Sequence, residues 1–183
     1  MPGKSPAFFI KLYIMAKPSP ASYPGYFQKY IDQVPEEDLQ AAFINQLPAM
    51  TTFLQSISEE KSNYAYAEGK WTIKEVLQHM TDTERIFAYR ALAFARGEKA
   101  SLPGFEENDY ALNSNANNQS WKNLIEELLA VRKSTELLFN SFNDTILLKD
   151  GTAGNNKISV AGLGFIIIGH FNHHKKVMEE RYL

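Results

Sequence analysis

Apolar residues recur at spacings of three and four along four stretches of the chain, and no stretch shows sustained strand alternation bounded by turns. The first stretch runs from about Glu36, behind Pro35, to Ile57, with Leu39, Phe43, Leu47, Met50 and Leu54 on one face and Pro48 as the place where a bend is expected. The second has the clearest start. Thr72 followed by Glu75 is a capping box, and Trp71 with Val76 is a hydrophobic staple. Ile73, Val76, Leu77, Met80, Glu84, Phe87, Ala91 and Phe94 then trace a mostly apolar face until Gly97 ends the helix. A third helix opens at Ser120 and carries Leu124, Leu128, Val131, Thr135, Leu138 and Phe142. The last spans about Ser159 to Tyr182, with Gly162, Gly164 and Gly169 as weak points within it.

Between the second and third helices lies "GEKASLPGFEENDYALNSNANNQS", rich in Asn, Gly, Pro and Ser. A connection of that length is either a functional crossover or disordered. Ahead of the last helix, "NDTILLKDGTAGNNKIS" reads as a turn region with a short extended piece at Ile146, Leu147 and Leu148. Four amphipathic helices with one long crossover between the second and third predict an all-α protein, a four-helix bundle.

Composition narrows the function classes. At 183 residues, 44% hydrophobic and 22% charged, the chain suits one globular domain. Net charge is −2 and the basic residues are scattered, which argues against nucleic acid as a partner. No uncharged apolar run reaches the roughly 18–20 residues that cross a bilayer, so no membrane is expected. The apolar segment from Ala7 to Ala16 has the length of a signal-peptide core, but Lys11 interrupts it and no small-x-small cleavage pattern follows. Met15 offers a second start, which would make residues 1–14 upstream sequence. The expected location is the cytoplasm. With no cysteine, the chain has no thiolate of its own, and any thiol chemistry must use a thiol brought from outside.

Three of the four histidines crowd into "GHFNHH". On the last helix His170 and His174 fall mid-face among Leu163, Ile166, Ile167, Val177 and Met178, one above the other, a spacing that suits chelation of one cation. Core histidines hydrogen-bonded to polar neighbours are the plainer reading of the pair. His79 lies at the flank of the apolar face of the second helix and adds a third imidazole from another element, the number that leaves a catalytic zinc an open position. His173, at the edge of the face, is expected beside the site or in solvent. Glu106, Glu107 and Asp109 in the crossover are candidates for orienting a ligand or serving as a base, against the ordinary expectation of a solvated loop. Asp82, Glu84 and Arg85 suggest a charge network on the helix surface. No phosphate-binding glycine loop, serine nucleophile motif or His-Glu-x-x-His pattern is present.

Together "KWTIKEVLQHMTDTER", "PGFEENDYA" and "GHFNHH" resemble the DinB-like, bacillithiol-transferase-like superfamily of metal-binding four-helix bundles. The resemblance covers residues 26–183 and leaves 1–25 as an N-terminal extension, partly disordered or packed on the bundle. It implies that His79, His170 and His174 hold a divalent ion, zinc or nickel. It further implies transfer of a low-molecular-weight thiol such as bacillithiol or mycothiol to an electrophile, or isomerisation with such a thiol. Other members of the family are assigned only as metal-dependent hydrolases.

Three functions therefore compete. A thiol S-transferase leads, with a small-molecule thiol and an electrophilic substrate as partners. A metal-dependent hydrolase would use water in place of the thiol, with Glu106, Glu107 or Asp109 as the base. The non-catalytic alternative is a bundle that binds a ligand or protein. Such a bundle would pair as a homodimer through the aromatic residues Phe8, Phe9, Tyr13, Tyr23, Tyr26 and Phe27.

Overall fold

The computed structural model describes residues 16–183. Phe8, Phe9, Tyr13 and nearly all of the segment weighed as an export signal lie outside them. The helices in chain order are α1 (Gln28–Ile31), α2 (Leu39–Gln55), α3 (Glu59–Ser62), α4 (Ile73–Arg96), α5 (Glu107–Asn113), α6 (Trp121–Asn140), α7 (Asp144–Leu147) and α8 (Val160–Arg181). Strands β1 (Asp150–Ala153) and β2 (Asn156–Ser159) form one antiparallel hairpin. Among the described residues, no helix is long and apolar enough to cross a membrane.

The long helices α2, α4, α6 and α8 form a four-helix bundle. Helices α4 and α2 each pack against both α6 and α8, so the order around the bundle is α2, α6, α4, α8. Each long helix starts on a side-chain cap. Asp38 accepts from the Ala41 N–H (2.8 Å), Ser120 from Asn123 (3.2 Å) and Ser159 from Gly162 (3.0 Å). The cap at Asp38 explains why α2 begins at Leu39 and not near Glu36: residues ahead of the cap stay extended, with the Lys17 N–H donating to the Glu37 carbonyl. Helix α2 continues through Pro48, which sits on the exposed side together with Ile44, whose carbonyl loses its helical partner to the proline. Lys74, buried on α4, donates to Glu59 of α3 and to the Gln119 carbonyl, while Glu59 accepts from the Trp121 N–H, so one carboxylate joins three helices.

The expected extended piece at Ile146–Leu148 is helical instead. Asn143 caps α7 through the Ile146 N–H (3.0 Å), and extension begins only at Asp150. The hairpin turns at Gly154 and Asn155, both at positive φ (54° and 64°), which is the two-residue turn that matches strand twist. Leu102 in the crossover pairs with this hairpin, donating to the Thr152 carbonyl and accepting from the Gly154 N–H. The crossover is therefore an ordered wall, built from α5 and a 3-10 turn at Ala116–Asn118. Tyr23 is buried in the chain's own core and Phe27 packs edge-on against Phe87 (5.9 Å), so both aromatics are engaged within one chain.

Two apolar clusters fill the bundle, one around Phe43, Phe94, Phe139 and Phe165, the other around Met50, Leu77, Leu124 and Phe171. A polar layer separates them: Gln46 from α2, His79, Thr83 and Glu84 from α4, Arg132 from α6 and His170 from α8, all buried. Glu84 lies in this layer, bonded to Arg132, and not in a surface network; Asp82, Arg85 and Glu127 form the surface network. Arg132 also donates to Gln46, whose amide in turn donates to the Ile168 carbonyl and to Asn172.

Candidate metal centre

The histidines end the polar layer on the side where α4 faces α8. Helix α4 delivers His79 from a fixed start. The Thr72 N–H donates to Glu75 (2.7 Å), the Glu75 N–H donates back to the Thr72 hydroxyl (3.1 Å), and Asn117 of the crossover bonds to both side chains. Trp71, just ahead of the cap, rests on His79 with ring centroids 4.9 Å apart. Helix α8 stacks His170 and His174 one turn apart. A Cβ on Gly169 would lie 2.0 Å from the Tyr30 carbonyl oxygen, so the absence of a side chain there lets α1 cross α8 closely. That crossing sets the Tyr30 ring edge-on against His170 (5.3 Å) and His173 (5.2 Å).

The Nε2 atoms of His79 and His174 lie 3.2 and 3.0 Å from Nε2 of His170, and the ligand atoms of all three fall within 4.8 Å of one another. Nitrogens bound tetrahedrally to one ion at about 2.0–2.1 Å would be separated by about 3.3 Å. His79 and His170 are buried and His174 is half-buried. Burial pushes His79 down to about 4 and holds His170 and His174 well below the usual imidazole value; for His170 and His174, repulsion from neighbouring rings and from Lys29 adds to it. All three are thus neutral, the form that donates a lone pair. His173, with its pKa lowered mainly by burial, packs edge-on against His174 (5.2 Å) and stands outside the trio.

The cluster opens on a cavity of about 450 Å³ between α4, the N-terminal turns, the crossover and the hairpin. His79 and His170 line it, as do Glu106 and Glu107, which are exposed. Asp109 is exposed and is not among its lining residues, so the crossover brings two of its three candidate carboxylates to the cavity. A void of about 10 Å³ lies behind His170, between Thr83 and the Glu84–Arg132 pair.

Most of the other lining residues were not candidates from sequence, Tyr30, Thr83, Phe87, Arg90 and Phe105 among them. Thr83, Phe87 and Arg90 follow His79 at spacings of four, four and three, a helical stripe that was legible once His79 was fixed on the inner face. Tyr30 had no such signal, since its place depends on the crossing at Gly169.

Residues 25–178 match the DinB superfamily. No curated protein matches the sequence. The fold is similar to that of YfiT from Bacillus subtilis, described as a probable metal-dependent hydrolase with an unusual four-helix bundle topology. The TM-score is 0.68 at 15% identity, over 90% of each chain. At that identity the likeness establishes the fold alone. The family match, spanning most of the sequence, is the stronger finding: the chain belongs to the DinB superfamily.

Proposed function

We propose that the protein is a metal-dependent enzyme in which His79, His170 and His174 hold one divalent ion at the floor of the cavity. The observation that carries this is the convergence of three neutral imidazole nitrogens, two buried and one half-buried, on one point, with no carboxylate among them. The donor set suits zinc or nickel, both of which accept imidazole. Three ligands leave a position open, and an ion held by neutral ligands keeps its full charge to acidify a thiol or water brought there.

The finer reading is a thiol S-transferase. The chain has no cysteine, so sulfur reaches the site only with a cosubstrate. The cavity has the size of an organic ligand site, and its aromatic walls suit an electrophile with an apolar body. Tyr30 and Trp71 brace two of the rings, and Glu106 and Glu107 stand at the cavity where a proton can be taken up. Hydrolysis is the second reading, favoured by the description of YfiT and by the same two carboxylates.

Substitution with cobalt(II) tests both. A small thiol such as cysteamine should produce an intense sulfur-to-cobalt charge-transfer band and then be consumed when an electrophile such as monochlorobimane is added. Absence of the band, with turnover of activated esters, would replace the transferase with a hydrolase. A cobalt spectrum indifferent to thiols and anions would mean a closed, structural site.

A further inference from the structure

His79, Thr83, Phe87 and Arg90 all line the cavity from one stripe of α4. At about 1.5 Å per residue, roughly 16 Å of helix separates the first from the last. Arg90 is 9% exposed, and its guanidinium is held in place by three contacts. Nη2 donates to the Pro103 carbonyl (2.9 Å), and the cationic carbon lies 5.4 Å from the Phe87 ring centre and 5.8 Å from that of Phe105. Among the described residues, no carboxylate lies within ion-pair distance of Arg90, and the bond to Pro103 is its only hydrogen bond. Arg132, the other buried arginine, is matched by Glu84 through both oxygens and by Gln46. Burying a cation is costly unless it is paired, so an unmatched guanidinium fork facing a cavity calls for an anion from outside the chain. Among the described residues that line the cavity, Arg90 is also the only lysine or arginine. Midway along the stripe, the buried Thr83 hydroxyl has no hydrogen-bond partner.

We propose that the cavity binds an elongated organic oxyanion. Its carboxylate or phosphate forks onto Arg90, its apolar body lies along Phe87 and Phe105, and a polar group meets the Thr83 hydroxyl. The end nearest the histidines is the reacting end. That last assignment rests on the metal-dependent reading above, whereas the Arg90 site does not. Guanidinium matches two oxygens of a carboxylate or phosphate side by side, and the Phe87 and Phe105 rings flank it.

The test is calorimetric titration of the full-length, metal-free protein with 4-phenylbutyrate, 3-phenylpropyl phosphate and the neutral 4-phenylbutyramide. At least one anion should bind about tenfold or more tightly than the amide, the worth of a charge-assisted pair. Comparison of the two anions identifies which oxyanion the site takes. Arg90→Gln should abolish the preference, and Arg90→Lys should retain part of it. In the unaltered protein the Arg90 Nε–H resonance should shift on adding the preferred anion, a readout that needs no folded variant. Equal affinity for anions and amide, no binding of any of the three, or a preference that survives in Arg90→Gln would overturn the site. A preference without any zinc binding would keep the Arg90 site and overturn the metal reading. A preference that appears only after zinc loading would do the reverse.

Discussion

Arg132 on α6 grips Glu84 on α4 through both carboxylate oxygens, Nε at 2.9 and 3.1 Å and Nη2 at 2.9 Å, in a pair almost sealed from solvent. The pair sits in the same layer as His79 and His170, so it fixes the spacing of α4 and α6 at the level of the candidate metal centre. Removing one partner leaves a buried charge alone. Arg132→Met should destabilise the fold by about 3–5 kcal/mol, whereas Arg132→Met combined with Glu84→Met should recover most of that loss. Urea unfolding of the three proteins checks it, and a double variant no better than the single one would contradict the pairing.

Gly169 is the point where α1 and α8 touch. An added Cβ would meet the Tyr30 backbone, with its carbonyl carbon 2.4 Å away, and backbone cannot swing aside as a side chain can. Gly169→Ala should cost about 1–3 kcal/mol, the usual range for overpacking. Gly25→Ala, where nothing lies within 4 Å, is the control and should be near neutral. Thermal denaturation of both variants gives the comparison.

Thr72→Ala removes one half of the capping box and a bond to Asn117, which ties the crossover to α4. The expected loss is about 0.5–2 kcal/mol. If neither stability nor metal affinity changed, the cap would not be what positions His79.

The histidines also set an acid limit. Unfolded, His79 titrates near 6.5; folded, burial holds it at about 4. Between those values the unfolded chain takes up a proton that the folded chain refuses. Stability of the metal-free protein is therefore full above about pH 6.5 and falls as pH drops toward 4, by roughly 3 kcal/mol from His79 alone. His170 and His174 act in the same direction. The difference between wild type and His79→Gln, followed by urea unfolding from pH 7 to 4, isolates the contribution; a flat difference would contradict it. For the same reason, competition from protons for the ligands should begin well below pH 6.5.

Much of this architecture was legible in the residues. Caps at Thr72, Ser120 and Ser159 and the apolar stripes marked three helix starts, and the spacing of His170 and His174 placed both on an inner face. The hairpin was missed because its strands are only four residues long, too short for alternation to register, although Gly154-Asn155 is a turn signal in its own right. Glu84 fell on the apolar stripe of α4 and yet was grouped with the surface charges Asp82 and Arg85, because its partner, Arg132, lies far along the chain on another helix. Tyr30 was hidden for the same reason, and Arg90, although its place on the stripe from His79 was legible, gave no sign of lacking a carboxylate partner: what surrounds the two is decided by the crossover, by α1 and by Gly169, none of which local periodicity reports.

The central claim is that His79, His170 and His174 together hold one ion. Elemental analysis of protein purified without a histidine tag, dialysed against zinc or nickel, tests it most directly. About one divalent ion per chain is expected in the wild type and in His173→Ala, with sharp loss in His79→Ala, His170→Ala and His174→Ala, all folded by circular dichroism. Full occupancy in His79→Ala would contradict the account, because the ion would then belong to α8 alone.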